Sequence, residues 1–172
     1  DIFEQFFGGG GSPFGRAAAR KPLYSITIDF MDAVHGVTKE VTIDGKKKTL
    51  KIPRGIDNGQ QIRFDDFDLV VSVKPHDTFK RQGDDIHVDL PISFSQASLG
   101  ATVTVQTVEE SVTFKVQPGT QPNTLVRLKG KGVLNIRRGG HGDQYVKLKV
   151  RVPEKLSSKQ RKLFDELQKE GL

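Results

Sequence analysis

The pattern of apolar residues becomes regular at Tyr24 and predicts a chain built mainly of β-strands. From Tyr24 to Phe30, apolar residues occupy every second position and polar residues fill the gaps. A period of two is typical of a strand that buries one face. The same alternation recurs along most of the chain, and Gly, Asp, Asn and Pro residues separate the runs. We therefore expect a mainly β, sandwich-like fold.

Two parts of the strand-rich region carry the same landmarks at a constant spacing. Gly36 corresponds to Gly100 and Gly55 to Gly119, and the members of each pair lie 64 positions apart. A constant offset over several landmarks indicates an internal duplication. We therefore expect two tandem, related β-sandwich-like domains at residues 22–80 and 81–154.

The second repeat is 11 residues longer than the first, and the extra length lies in the Gly-rich stretch 129–142. At the matching place the first repeat has only residues 65–67. Either the first domain closes with a short turn, or a loop is missing from the sequence. Because two domains built alike should close the same gap alike, the duplication favours a missing loop.

The residues before the first strand differ in composition from the rest of the chain. Residues 1–21 combine Phe side chains with four adjacent glycines, Gly8 to Gly11. Adjacent glycines lose much backbone entropy when they are ordered. We interpret this segment as a flexible Gly/Phe-rich linker.

After Pro153 the apolar spacing becomes helical, and it predicts a helix within residues 155–172. Ser157 followed by Gln160 is typical of a capping box at a helix start. Because so short a helix is marginal in water, its apolar stripe must pack on its own domain or on a second copy. The stripe consists of Leu163, Phe164 and Leu167.

The composition limits the setting in which the chain works. Cysteine is absent, which rules out disulfides and thiolate metal ligands and fits a reducing compartment, so we expect a cytoplasmic location. No stretch has the apolar length of a membrane span, and the first residues do not resemble a signal peptide. The missing initiator Met leads us to expect a fragment of a longer chain.

The candidate chemistry favours binding over catalysis. The four histidines are not paired at metal-ligand spacing, and the acidic clusters lack the alternating pattern of a calcium loop. Gly8 to Gly11 lack the Lys and Ser/Thr of a phosphate loop. We expect neither an enzyme nor a cofactor. The net charge of +6 is compatible with nucleic acid, with an acidic partner or with an ordinary soluble surface.

Several long motifs make the chain resemble the C-terminal half of DnaJ-type (J-domain) co-chaperones. Residues 1–21 are similar to the Gly/Phe linker that follows the J-domain in that family. The J-domain and the cysteine-rich zinc module of many members are absent from the sequence. By this resemblance, zinc is expected only if such a module has been removed. The motifs themselves stand at residues 51–63, 75–86, 97–100, 127–132 and 142–146.

The resemblance implies a hydrophobic groove on the first domain that binds client polypeptides. The alternative is that the same residues are simply sandwich core, because periodicity does not separate a groove from a core. The predicted client-binding residues are Tyr24, Ile26, Val41, Ile43, Leu50, Ile52 and Phe79.

In some zinc-free relatives, basic residues beside the groove hold the acidic tail of the partner ATPase. Here the corresponding residues are Lys39, Lys46, Lys47 and Lys48, and the alternative is a hairpin of solvated lysines.

The resemblance also implies partners and a function. It predicts homodimerisation through Leu163, Phe164 and Leu167, and delivery of unfolded clients to a DnaK-type heat-shock ATPase. We expect no membrane contact. One alternative is the DNA-binding module of a DnaJ-like nucleoid protein, although the few aromatic residues count against base stacking. Another is a purely structural dimer scaffold.

Overall fold

The computed structural model describes residues 21–172, which group into two units. Unit 1 contains the described residues up to Val88 together with Gln106–Glu110 and Arg127–Tyr145. Unit 2 contains Asp89–Val105, Ser111–Val126 and Val146–Leu172. The predicted Gly/Phe linker lies outside the described residues, except for Lys21. The domain boundaries predicted after residues 80 and 154 stay a prediction.

Strands predominate, and the chain ends in a helix, which confirms the predicted fold class. The first seven elements are β1 (Leu23–Ile28), α1 (Phe30–His35), β2 (Val37–Ile43), β3 (Lys46–Ile52), β4 (Gln61–Arg63), β5 (Asp68–Val73) and β6 (Lys80–Gln82). The remaining elements are β7 (Asp85–Ser93), α2 (Phe94–Leu99), β8 (Ala101–Gln106), β9 (Ser111–Val116), β10 (Leu125–Leu128), β11 (Gln144–Arg151) and α3 (Ser158–Lys169).

Unit 1 is built on a three-stranded sheet and a separate hairpin. In the sheet, β5 lies between β1 and β4; it is parallel to β1 and antiparallel to β4. The hairpin joins β2 to β3 through Asp44 and Gly45, whose φ angles are 50° and 74°. Two positive φ angles are typical of the tight turn that the Asp-Gly pair predicts. Apolar side chains of the sheet and the hairpin form one core cluster.

A tight turn joins β4 to β5, where the sequence led us to expect a missing loop. The Phe64 N–H donates to the Phe67 carbonyl at 2.9 Å, and the two rings stack with centroids 4.8 Å apart. The residues present therefore suffice to connect the two strands. Whether a longer form of the protein carries a loop here stays a prediction.

Two further segments complete unit 1. Val133, in the Gly-rich stretch, is fully buried, and its N–H donates to the Asp84 carbonyl at 2.8 Å. Val108 is also buried, and its carbonyl accepts a hydrogen bond from the His35 Nε2 atom at 2.9 Å. The Gly-rich stretch is thus packed against its neighbours in unit 1.

A four-stranded sheet has the order β10-β11-β7-β6. β6 was not predicted; it forms a short hairpin with β7. In unit 2, α2 and α3 each begin with a capping box, at Ser93 and at Ser157, so the prediction for Ser157 is confirmed.

The order strand, six-residue helix, hairpin occurs twice along the chain, as the predicted duplication requires. Helices α1 and α2 end at Gly36 and Gly100, whose φ angles are 79° and 82°. Only glycine adopts such a backbone conformation without strain, which explains why these two positions match in the sequence.

Candidate functional site

Six of the seven predicted client-binding residues lie together in the core of unit 1. Their relative exposure ranges from 1% at Leu50 to 9% at Tyr24 and Val41. The structure therefore brings them into one cluster, but as buried side chains. The six are Tyr24, Ile26, Val41, Ile43, Leu50 and Ile52.

The burial follows from strand alternation and register. Directly opposed residues of an antiparallel pair point to the same face. Val41 opposes Lys48 and Ile43 opposes Lys46, so the inner face of the hairpin is apolar in its middle and cationic near its turn. The apolar part packs with side chains of β1 and β5 in one core cluster, and the Lys48 ammonium lies 5.0 Å from the centroid of the Phe67 ring.

Tyr24 illustrates how this cluster meets its polar border. Its ring packs edge-on against Phe67, with centroids 5.6 Å apart, and its hydroxyl donates to Asp44 at 3.4 Å. Burial raises the pKa of the Tyr24 hydroxyl, and the nearby Asp44 carboxylate raises it further. The hydroxyl therefore remains a neutral donor at physiological pH.

Phe79, the seventh predicted client-binding residue, lies outside this cluster and beside an open cleft, but it is also buried, with 7% of its surface exposed. Its ring stacks on Phe30 with centroids 6.0 Å apart and planes 16° apart. The cleft has a volume of about 510 Å³. It is bordered by charged and polar residues that include Lys74 and Lys80. Its apolar and aromatic lining consists of Phe30, Ala33, Val73, Pro75, His76 and Phe79.

His76 holds the turn that presents Phe79 to the cleft. Its Nδ1 atom accepts hydrogen bonds from the Thr78 N–H at 3.1 Å and the Phe79 N–H at 3.2 Å. These bonds assign the imidazole proton to Nε2. The His76 ring also lies 4.9 Å from the Phe79 ring. His76 and Phe30 were not among the predicted site residues, because residues that lie far apart in the sequence show no common pattern.

Arg81 fixes the backbone that borders the cleft. Its guanidinium donates to the Gly55, Ile56 and Gly83 carbonyls at 2.9, 2.6 and 2.7 Å. The side chain is only 12% exposed, and Asp57 and Asp84 lie within 4.0 Å of its nitrogens. The fork of guanidinium donors suits several carbonyl acceptors at once. Arg81 was not among the predicted site residues, because an isolated Arg in a charged stretch does not reveal that it will bond to backbone carbonyls.

Two of the four predicted tail-binding lysines are already paired inside unit 1. Lys39 lies 3.6 Å from an Asp32 oxygen, and Lys48 lies 2.8 Å from Asp66. The hydrogen bond from Lys48 lowers the pKa of the Asp66 carboxyl. Among the described residues, Lys46 and Lys47 have no carboxylate within 4.0 Å. Lys47 points to the opposite face of the hairpin from Lys46 and Lys48.

The predicted dimerisation residues lie along an apolar cleft of about 750 Å³ in unit 2. Leu163 is 52% exposed and Leu167 is 36% exposed. Phe164 is half-buried, and its ring lies 6.4 Å from that of Phe94. The helical stripe of the sequence is therefore partly packed within unit 2 and partly open to solvent.

Residues 21–172 contain no cluster of three His, Asp or Glu side chains that could hold a metal ion. A cysteine-rich zinc site does not fit this sequence, because it contains no cysteine. Within the same residues, no helix has the length and apolar character needed to cross a membrane.

Comparison with known proteins identifies the family of the chain. The family model of the DnaJ C terminal domain matches residues 23–153. A stretch of 139 residues is 43% identical to the chaperone protein DnaJ of Geobacillus kaustophilus, and covers 73% of this chain and 36% of that protein. A stretch of 134 residues is 48% identical to the chaperone protein DnaJ of Bacillus mycoides, and it covers 70% of this chain and 36% of that protein. The chain belongs to the DnaJ C-terminal domain family. It spans about a third of the length of these curated relatives.

Proposed function

We propose that the chain is the client-binding part of a co-chaperone and holds apolar segments of unfolded polypeptides. The family supports this proposal, because the matching relatives are named chaperones. Delivery of clients to a DnaK-type ATPase, in protein folding and prevention of aggregation, is part of the proposal. So is a cytoplasmic location, which the absence of cysteine favours.

The cleft beside Phe79 is the observation that carries the proposal. It is lined by aromatic and aliphatic side chains and opens to solvent, and its volume of about 510 Å³ suits large apolar side chains. The border of the cleft carries both charges: Lys80 and Asp57 lie there, and Lys74 is paired with Asp29 at 3.0 Å. A client segment with one or two large apolar residues complements this surface.

Matched variants of β5 test the cleft. Val73 lines it, whereas Val70, also half-buried on the same strand, does not. Replacing a cleft-lining methyl by a hydroxyl weakens apolar contact by roughly 1 kcal/mol, or about fivefold in affinity. We expect Val73→Thr to weaken binding of a labelled Leu- and Phe-containing peptide about fivefold in fluorescence anisotropy, and Val70→Thr to leave it unchanged. Equal affinities for the two variants would contradict the assignment of the cleft.

The proposed transfer to an ATPase has its own test. A chemically unfolded client is bound to the chain, and a DnaK-type ATPase is added with ATP and a separate J-domain, because the sequence contains none. We expect the client to dissociate faster when the ATPase is supplied with ATP than when it is supplied with a non-hydrolysable nucleotide. An unchanged dissociation rate would confine the proposed function to holding clients.

We also propose that α3 mediates a homodimer through Leu163, Phe164 and Leu167. The exposed fractions of Leu163 and Leu167 support it, since monomers seldom leave such apolar stripes open. Leu163→Asp should shift the sedimentation coefficient to that of a monomer, as should removal of residues 157–172. Lys162→Asp, one position away, is the control for added charge and should leave the dimer intact. A dimer that survives Leu163→Asp and the truncation would exclude this interface.

A further inference from the structure

The part of strand β11 that lies in unit 2 separates apolar and cationic residues onto its two faces. Val146 and Leu148 are 0% and 1% exposed and point into the core. The alternating residues point the other way; Lys147 and Lys149 are half-buried and Arg151 is exposed. We call Lys147, Lys149 and Arg151 the β11 cation stripe.

The β11 cation stripe is not neutralised by nearby acidic groups. None of its three side chains lies within 4.0 Å of a carboxylate of the described residues. Other cations are paired: Lys48 with Asp66 at 2.8 Å, and Arg127 with Asp143 at 2.6 Å. Asp89 is exposed on the neighbouring strand β7, but it forms no ion pair with the stripe.

A loop of unit 2 holds Lys149, the middle residue of the stripe, in place. The Asn123 N–H donates to the Leu148 carbonyl at 2.8 Å, and the Leu148 N–H donates to the Thr124 carbonyl at 2.9 Å. Asn123 has a φ angle of 65°, a conformation that Asn tolerates better than most residues. Its side-chain oxygen accepts a hydrogen bond from the Lys149 ammonium at 2.8 Å. The ammonium keeps two further donors for another acceptor.

We propose that the β11 cation stripe binds an extended acidic segment of a polypeptide. Alternate residues of a strand are about 6.6–6.8 Å apart, so an extended partner with acidic residues at every second position matches the spacing of the three cations. The charged groups of both partners then meet in register. This site is separate from the proposed apolar cleft in unit 1 and does not depend on it.

The residue types favour a polypeptide over a nucleic acid. Single-stranded nucleic acid is usually held by aromatic side chains that stack on the bases. Residues 146–151 and 121–125 contain no aromatic residue. Tyr145, which precedes the stripe on β11, is stacked on His87 with ring centroids 5.3 Å apart. Two of the three aromatic residues of unit 2, Phe94 and Phe164, pack against each other in the apolar cleft.

The test compares two triple variants of the 172-residue chain. One replaces Lys147, Lys149 and Arg151 by Gln, and the other replaces Lys46, Lys47 and Lys51 by Gln. Both remove three positive charges, and the second lies on the hairpin where the acidic tail of an ATPase was predicted to bind. The probes are a labelled Glu-Ser repeat peptide, an isomer with its glutamates in one block, and an oligothymidylate of equal charge.

The expected results follow from the strength of exposed ion pairs. Each changes an equilibrium constant roughly two- to threefold, so the stripe variant should bind the alternating peptide about tenfold more weakly than the parent chain. The hairpin variant should bind it as the parent does. The parent should prefer the alternating peptide to the block isomer and to the oligothymidylate.

Other outcomes overturn the proposal. These are an equal loss in both variants, a loss in the hairpin variant alone, tighter binding of the oligothymidylate, or no measurable peptide binding by the parent. Circular dichroism checks the fold. If the triple variant is unfolded, Lys147→Gln and Arg151→Gln replace it, each with an expected two- to threefold loss. Lys147→Arg with Lys149→Arg keeps the charges and should bind as the parent does. Because the peptides contain no apolar residues, failure here leaves the apolar cleft untouched.

Discussion

Replacing Arg81 tests whether its hydrogen bonds to backbone carbonyls stabilise unit 1, independently of the charge that the residue carries. In Arg81→Met, three backbone carbonyls lose their donor: those of Gly55, Ile56 and Gly83. The side chain is 12% exposed, so water replaces these bonds poorly. Hydrogen bonds to a charged group contribute about 1.5–3 kcal/mol each before the cost of desolvating that group.

Because Met no longer pays the desolvation cost of a buried guanidinium, the net loss is smaller than the sum of three bonds. Breaking a buried charged network of this kind costs about 3 kcal/mol. For a chain of this size that loss lowers the melting temperature by roughly 6–12 °C. Arg81→Lys keeps the charge but not the fork of donors, so about half of the loss is expected.

Urea unfolding followed by circular dichroism measures the series. Lys80→Met is the matched control, because Lys80 is exposed on the same strand; its effect should stay within about 0.5 kcal/mol. If Arg81→Met and Lys80→Met have the same midpoint, the three carbonyl bonds do not contribute to stability and our reasoning is refuted.

Three further predictions concern the backbone, a helix start and acid. Gly55 and Gly59 both have positive φ angles, but a Cβ on Gly55 would overlap the Leu134 carbonyl, whereas one on Gly59 meets nothing within 4 Å. Gly59→Ala should cost about 1 kcal/mol in urea unfolding and Gly55→Ala clearly more; equal costs would argue against the overlap. Ser157→Ala removes the capping box of α3 and should cost that helix about 1 kcal/mol, seen as faster amide exchange in its first turn; unchanged exchange would contradict this. The Gly130 N–H and the Arg127 guanidinium lower the pKa of the Asp143 carboxyl. The stabilisation that this carboxylate gives the folded state is therefore complete above the unfolded-state pKa near 3.9, and it is lost as the pH falls through the lower pKa of the folded state. The urea midpoint should therefore fall below about pH 4, and less so in Asp143→Asn; an identical acid profile for the two chains would contradict it.

Local features of the fold could be predicted from the sequence because they depend on neighbouring residues. The Asp44-Gly45 turn and the capping box at Ser157 each rest on a few adjacent side chains. The strands of alternating residues were found for the same reason. β6 was missed because three residues, Lys80 to Gln82, are too short to show a period, and their strand exists only through pairing with β7.

The candidate site could be predicted only in part, because it depends on contacts between distant segments. Phe79 was singled out, but its partner Phe30 lies 49 positions earlier, and no periodicity connects them. Likewise, the paired state of Lys48 depends on Asp66, which the tight β4–β5 turn brings near. Net charge does not distinguish these paired cations from those of the β11 cation stripe, which form no ion pair with a carboxylate of the described residues.

The burial of the predicted groove residues determines which surface of unit 1 offers a client the more favourable binding free energy. Both a groove and a core give alternating apolar residues, and the packing of the β2–β3 hairpin with β1 and β5 in one cluster makes these six a core. Exposing even two of them to reach a client costs roughly 3–6 kcal/mol, which weakens binding more than about a hundredfold. The cleft beside Phe79 opens to solvent, so a client reaches its half-buried lining without that cost, whereas Phe79 and Phe30 are themselves only 7% and 6% exposed. A client that binds unit 1 without unfolding it should therefore contact Val73 and His76, the half-buried residues of this cleft, before the core residues of the hairpin.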